Sequence, residues 1–302
     1  MKHFVKNSIA VAVVGAAVVA GSAVAGIANT RHNLGSSQAV GSFNRTSSTG
    51  EICIFCHTPH GGDTGAAVPL WNKRLSTATY TTYDVLGTST LDAGVVTPIG
   101  SVSLACLTCH DGTQAIDNIR NAPGSGGFDA AGGGPTGLGW SWTSPGSSLD
   151  ANGQFVAGPD TGGTNITTIG TDLRNDHPIS VQYGGGGVTS AGGTTVDQDF
   201  FQPIAVGSGA SIRWYVQNTV TGNTGGFDKW DFKLYTRNIT NVNQFNNPGA
   251  PGAQVGIQPF VECGSCHDPH FETTTFLRMP GTVDGTSESN TGSRVCLTCH
   301  DK

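Results

Sequence analysis

Apolar positions cluster at the start of the chain and then recur only in short patches. Ile9 to Val24 is an unbroken Ala/Val/Gly-rich run that follows Lys2 and Lys6 and ends in Ala23-Val24-Ala25. A positive start, an apolar stretch and a small-residue cleavage site define a secretory signal peptide over 1–25, with Gly26 as the expected mature N-terminus. Further on, Ser211-Ile212-Arg213-Trp214-Tyr215-Val216 alternates, as does Lys229-Trp230-Asp231-Phe232-Lys233-Leu234-Tyr235. Period two predicts strands, and Thr221 to Gly226 between them predicts the turn of a hairpin. Pro123 to Gly163 is Gly/Ser/Pro-rich and reads as loop, with Trp140 and Trp142 expected to pack against something. Helical periodicity is nearly absent, so short helices are expected only around the cysteine motifs described below. Beyond residue 25 no stretch approaches the ~20 apolar residues of a membrane-spanning helix, so no transmembrane anchor is expected in the mature chain.

Composition sharpens this. The chain has 302 residues, 45 of them glycine, and a formal charge of −6. Without Lys2 and Lys6, 13 basic side chains face 21 acidic ones, a net of −8. Nucleic acid is an improbable partner because there is no basic footprint. Basic proteins or oxide surfaces suit the charge better.

All eight cysteines fall in four copies of Cys-x-x-Cys-His. They are Cys53–Cys56–His57, Cys106–Cys109–His110, Cys263–Cys266–His267 and Cys296–Cys299–His300. This is the attachment signal of c-type haem, with two thioether bonds and a proximal histidine. Disulfides would suit an exported protein, and paired Cys-x-x-Cys units can hold zinc, but neither requires a histidine after each pair. The expected cofactor is therefore four covalently attached haem c groups.

Nine histidines are present. His3 lies in the signal segment and four are proximal, which leaves His32, His60, His177 and His270 as distal ligands, one per haem. His60 and His270 each follow a proximal histidine by three residues, too close to clasp the opposite face of the same porphyrin. The simplest assignment puts His60 on the second haem and His270 on the fourth. Met279 reads as packing. All-histidine ligation leaves no open iron position, which predicts electron transfer and no enzyme activity; a multihaem reductase would need a five-coordinate iron.

Glu51 to Gly61, Val68-Pro69-Leu70-Trp71-Asn72, Asn175 to Ser180 and Val261 to His270 together resemble the doubled-motif multihaem cytochromes of metal-reducing bacteria. Haem count, length and His32-Asn33-Leu34 are most similar to tetrahaem outer-surface cytochromes of the OmcE type, which form extracellular nanowires. The resemblance implies a core of stacked haems and a head-to-tail homopolymer in which His32 is the position matching a ligand to a haem of the neighbouring subunit, ligation within its own chain being the alternative. It also implies contacts with other cytochromes or metal oxides, and a secreted, outer-surface location, the periplasm being the alternative. The expected fold is a multihaem cytochrome c with low regular secondary structure. It comprises an N-terminal dihaem segment over 26–120, a Gly/Thr-rich β/loop insert over 121–258 carrying His177, and a C-terminal dihaem segment over 259–302.

Overall fold

The computed structural model describes residues 26–37, 45–92, 94–96, 98–124, 126–129, 137–143, 148–159, 162–189, 192–218, 227–246, 248–249, 254–272, 275–279 and 292–301. The expected signal segment over 1–25, the expected turn at 221–226 and parts of the expected loop over 123–163 lie outside these residues.

Regular structure is sparse, as expected. The strands are β1 (Arg45–Thr46), β2 (Trp142–Thr143), β3 (Val181–Gln182), β4 (Ile204–Val206), β5 (Arg213–Val216), β6 (Phe232–Ile239) and β7 (Gly256–Val261). The α-helices are α1 (Ser101–His110), α2 (Cys263–Cys266) and α3 (Arg294–Leu297), and each carries cysteines of a motif. The first motif makes a 3₁₀ turn at Cys53–Phe55, and single 3₁₀ turns such as Tyr83–Leu86 also occur away from the motifs.

The two alternating segments pair as predicted. β5 and β6 run antiparallel, with Trp214 opposite Leu234 and Val216 opposite Phe232. They lie within a five-stranded antiparallel sheet of order β3-β7-β6-β5-β4. The apolar face of this sheet packs Trp214, Val216, Phe232 and Leu234 with Tyr183, Val261 and Met279. Burying that face offsets the ordering cost of strands too short to stand alone. Trp214→Ala is expected to cost about 3–5 kcal/mol, read as an earlier midpoint in urea unfolding of the holoprotein.

β7 runs directly into the third cysteine motif, so the sheet aims that motif. A separate cluster of Phe55, Ile116 and Leu149 lies beneath the first two motifs. Trp140 and Trp142 do pack there, with ring centres 5.9 and 6.1 Å from Phe55. The 123–163 loop is thus tied to the first motif by its aromatic residues.

Candidate haem sites

Each Cys-x-x-Cys-His forms about one helical turn. The histidine N–H donates to the first cysteine carbonyl in three motifs, at 2.7 Å for His57, 3.1 Å for His267 and 2.9 Å for His300. The second motif ends α1. A helical turn sets residues i, i+3 and i+4 on one face, so both thiols and the imidazole of each motif project together. All eight cysteines are unbridged, so no disulfide framework forms. Among the described residues no three His, Cys, Asp or Glu side chains gather as a metal site.

The motifs are of two alternating types. In the first and third, the chain returns after the histidine to form a β-bridge, His57 with Trp71 and His267 with Leu277. Thr58 N–H donates to Leu70 O and Asp268 N–H to Phe276 O, while Asn72 N–H donates to Cys56 O and Arg278 N–H to Cys266 O. Leu70 and Phe276 both hold positive φ, 55° and 59°, a strained conformation for bulky side chains. The second and fourth share Cys-Leu-Thr-Cys-His-Asp. In both, the threonine hydroxyl donates four residues back, Thr108 to Leu104 O at 2.8 Å and Thr298 to Arg294 O at 2.9 Å.

The imidazoles are oriented by backbone carbonyls. Nδ1 of His57 bonds Pro69 O at 2.7 Å, that of His110 bonds Thr167 O at 2.7 Å, and that of His267 bonds Thr275 O at 2.8 Å. Such a bond fixes the tautomer with the proton on Nδ1 and leaves Nε2 as the metal-binding nitrogen. The equivalent positions Pro69 and Thr275 could not be found from the sequence, because the acceptor is main chain; the parallel return loops are the signal that links them.

Two pairs of imidazoles face one another. Ring centres of His57 and His270 are 6.2 Å apart, and those of His32 and His110 are 6.3 Å apart. Two imidazoles bound to opposite sides of one metal, each through a bond of about 2.0 Å, have ring centres roughly 6 Å apart. His177 lies within electrostatic reach of His300. His60 and His267 are exposed residues, and His267 lies within electrostatic reach of His32 and His110. Burial depresses the pKa of His32 to about 4, with His110 beside it adding to the effect, and burial likewise lowers His110 and His177. A neutral imidazole is the form that binds a metal.

This arrangement differs from the simplest assignment. His270 sits across from His57 of the first motif, not at the fourth. His60 is not placed at the second motif, where His32 stands instead. The His32 ring lies beside His110 of its own chain. Hydrogen bonds from Thr30 and Asn33 to the carbonyls of Ile27 and Ala28 fold the N-terminal turn back, and the His32 ring stacks on Phe276 at 4.2 Å. Met279 is fully buried and takes a hydrogen bond from Asn218, which agrees with packing.

The motifs meet in chain order. Cys56 and Cys109 pack on one apolar cluster. The thiols of Cys106 and Cys263 are within hydrogen-bond reach of each other. Cys266 and Cys299 pack on the sheet core. Burial pushes the thiols of Cys56 and Cys266 up to about 12. Unbridged cysteine pairs beside histidines oriented by backbone carbonyls fit thioether-bound haem c.

Two further side chains lock the motifs. Arg278, 3% exposed, donates to Gly264 O and Lys229 O and pairs with Asp268 at 3.2 Å. Glu262, directly before the third motif, accepts from Ser103 of α1 at 2.5 Å and from Ser180 at 3.2 Å. It thereby ties the second motif to the third.

Residues 258–302 match the family model described as doubled CXXCH motif. No curated protein matches the chain. The matched stretch contains the third and fourth motifs, and it supports a multihaem c-type cytochrome with covalently attached haem c, acting in electron transfer.

Proposed function

We propose that the chain is a secreted tetrahaem cytochrome with two histidines per iron, and that it polymerises head to tail into an electron-conducting filament of the OmcE type. The observation that carries this reading is the row of four motifs that touch in chain order, with paired imidazoles at the first two. Haem c, when bound, supplies one-electron carriers whose spacing permits transfer along the row. The chain's part is to hold the irons by His57 and His270, His110 and His32, His300 and His177, and His267 and His60, the last pair assigned by elimination. With two histidines holding each iron, the chain would act as a carrier and not an enzyme. Among the described residues no helix is long and apolar enough to cross a membrane. The acidic surface suits basic partner cytochromes or a metal oxide as acceptor.

Placement of His32 opposite His110 of its own chain favours a second reading, a monomeric periplasmic or outer-surface shuttle, because the expected link between subunits is then used internally. Electron microscopy of native material sheared from cells, with haem staining of the same fraction, decides between them. Haem-positive filaments of uniform width are the expected result. Small particles with all irons low-spin would establish the shuttle, and a high-spin ferric signal in the native protein would point to a reductase.

A further inference from the structure

Lys73 is fully buried. Its Nζ donates to the carbonyls of Ala115 at 2.9 Å, Ile116 at 3.1 Å and Asn118 at 2.9 Å. An ammonium has three N–H donors, so each finds one acceptor, whereas a neutral amine could donate to only two of the three. Burial lowers the Lys73 pKa, while the three carbonyls offer one acceptor to each N–H of the ammonium. Lys73 makes no ion pair among the described residues. Cys109 and Cys56 lie within electrostatic reach of it, as do Asp117 and Asp111. Those two carboxylates keep their charge while bonding neutral donors, Asp111 with Ser76, Tyr80 and Thr113, and Asp117 with the Trp140 N–H, and among the described residues neither comes within ion-pair distance of Nζ.

The repeat of the first and third motifs supplies an internal comparison. Asn72 and Arg278 occupy equivalent places, each donating its N–H to the second cysteine carbonyl of its motif. The next residues, Lys73 and Met279, are therefore equivalent, and both are fully buried. One half of the molecule places an ammonium where the other places a thioether. Arg278 is also near Cys266, but its charge is matched by Asp268. The other buried charge at a motif junction, Glu262, has Arg237 at 3.8 Å.

We propose that Lys73 is a fixed positive charge that raises the reduction potentials of the haems at the first two motifs above those at the last two, giving the row an electrical direction. An ammonium in a low-dielectric interior favours the neighbouring iron state with one more electron, ferrous over ferric, because reduction removes one positive charge. Electrons delivered at the fourth motif would then run downhill toward the first. This rests on the tetrahaem reading above.

The test is a spectroelectrochemical titration of the holoprotein, wild type against Lys73→Met, the side chain the repeat already accommodates at 279. Expected is a fall in the potentials of two haems by at least tenfold in the reduction equilibrium, 59 mV for one electron, with the other two unmoved. Lys73→Arg should restore the wild-type curve, which a purely packing role would not require. Superimposable curves for Lys73→Met with all haems attached and low-spin would overturn the proposal. If Lys73→Met fails to fold, titration of the unmodified protein serves, with His32→Ala and His177→Ala marking the second and fourth haems by their high-spin signals. The second haem is expected to titrate above the fourth, and the reverse order would overturn the proposal. Fewer than four haems in the unmodified protein would instead sink the tetrahaem reading on which it stands.

Discussion

Replacing Cys106 and Cys109 together by alanine is expected to yield three haems per chain instead of four and to reduce the yield of folded holoprotein several-fold. Haem count alone follows from the loss of one attachment site. The loss of fold follows from where α1 lies. Its Leu107 is fully buried with Ile99 and Leu173, and its Ser103 donates to Glu262 and accepts from the Cys263 N–H. The Cys106 thiol adjoins Cys263. An unfilled second site would therefore loosen the first and third motifs as well, since binding free energy at such a site is folding free energy. Cys296→Ala with Cys299→Ala provides the contrast. α3 has no buried residue, so that variant should also carry three haems but fold in near-normal yield. Intact mass and haem absorbance per chain read both. Four haems retained by the α1 variant would sink the attachment assignment, and equal yields from the two variants would sink the central role given to α1.

The sequence carried the attachment sites because the chemistry is local. A single helical turn suffices to bring Cys, Cys and His together, so five consecutive residues specify each site. The β5–β6 hairpin was legible for the same reason, since alternation reports a half-buried strand wherever it is long enough. β3 and β4 were not, being two and three residues long and without a pattern; they exist because β7 and β5 offer open edges. Distal pairing was legible only as a prohibition. Spacing ruled out His57 with His60 on one iron, but the choice between the first and fourth motifs for His270 depends on how 263–270 docks against 53–72, which is tertiary. Lys73 shows the limit most plainly. In sequence it is one lysine before an arginine, a pattern that reads as solvated, yet its three acceptors at 115, 116 and 118 bury it completely. What would have exposed it is the alignment of the first return loop with the third, which places it over Met279, and that register appears only with the β-bridges.

Single alanine changes at His270 and His32 are expected to convert different haems to the high-spin state, each in one quarter of the irons, with all four haems still attached. The 6.2 Å separation of His57 and His270 rings and the 6.3 Å separation of His32 and His110 match two ligands across one metal and are too long for direct ring stacking at van der Waals contact. The His32 pair has its rings at 74° and the His270 pair at 17°, so the two haems should also differ in their low-spin ferric spectra, because the relative angle of axial imidazole planes sets the splitting of the iron orbitals. His270→Ala should remove the near-parallel signal and His32→Ala the near-perpendicular one, and the double variant should show two high-spin irons of four. His270 also donates to Asp268 at 3.0 Å, but Arg278 stays paired with that carboxylate after the change, so the third motif should keep its shape. The outcome separates the pairings cleanly. If His270 served the fourth motif, His270→Ala and His177→Ala would compete for one iron, and one of them would leave the spectrum unaltered. If His32 ligated a neighbouring subunit, the isolated chain would already hold a high-spin haem, and His32→Ala would change nothing in it.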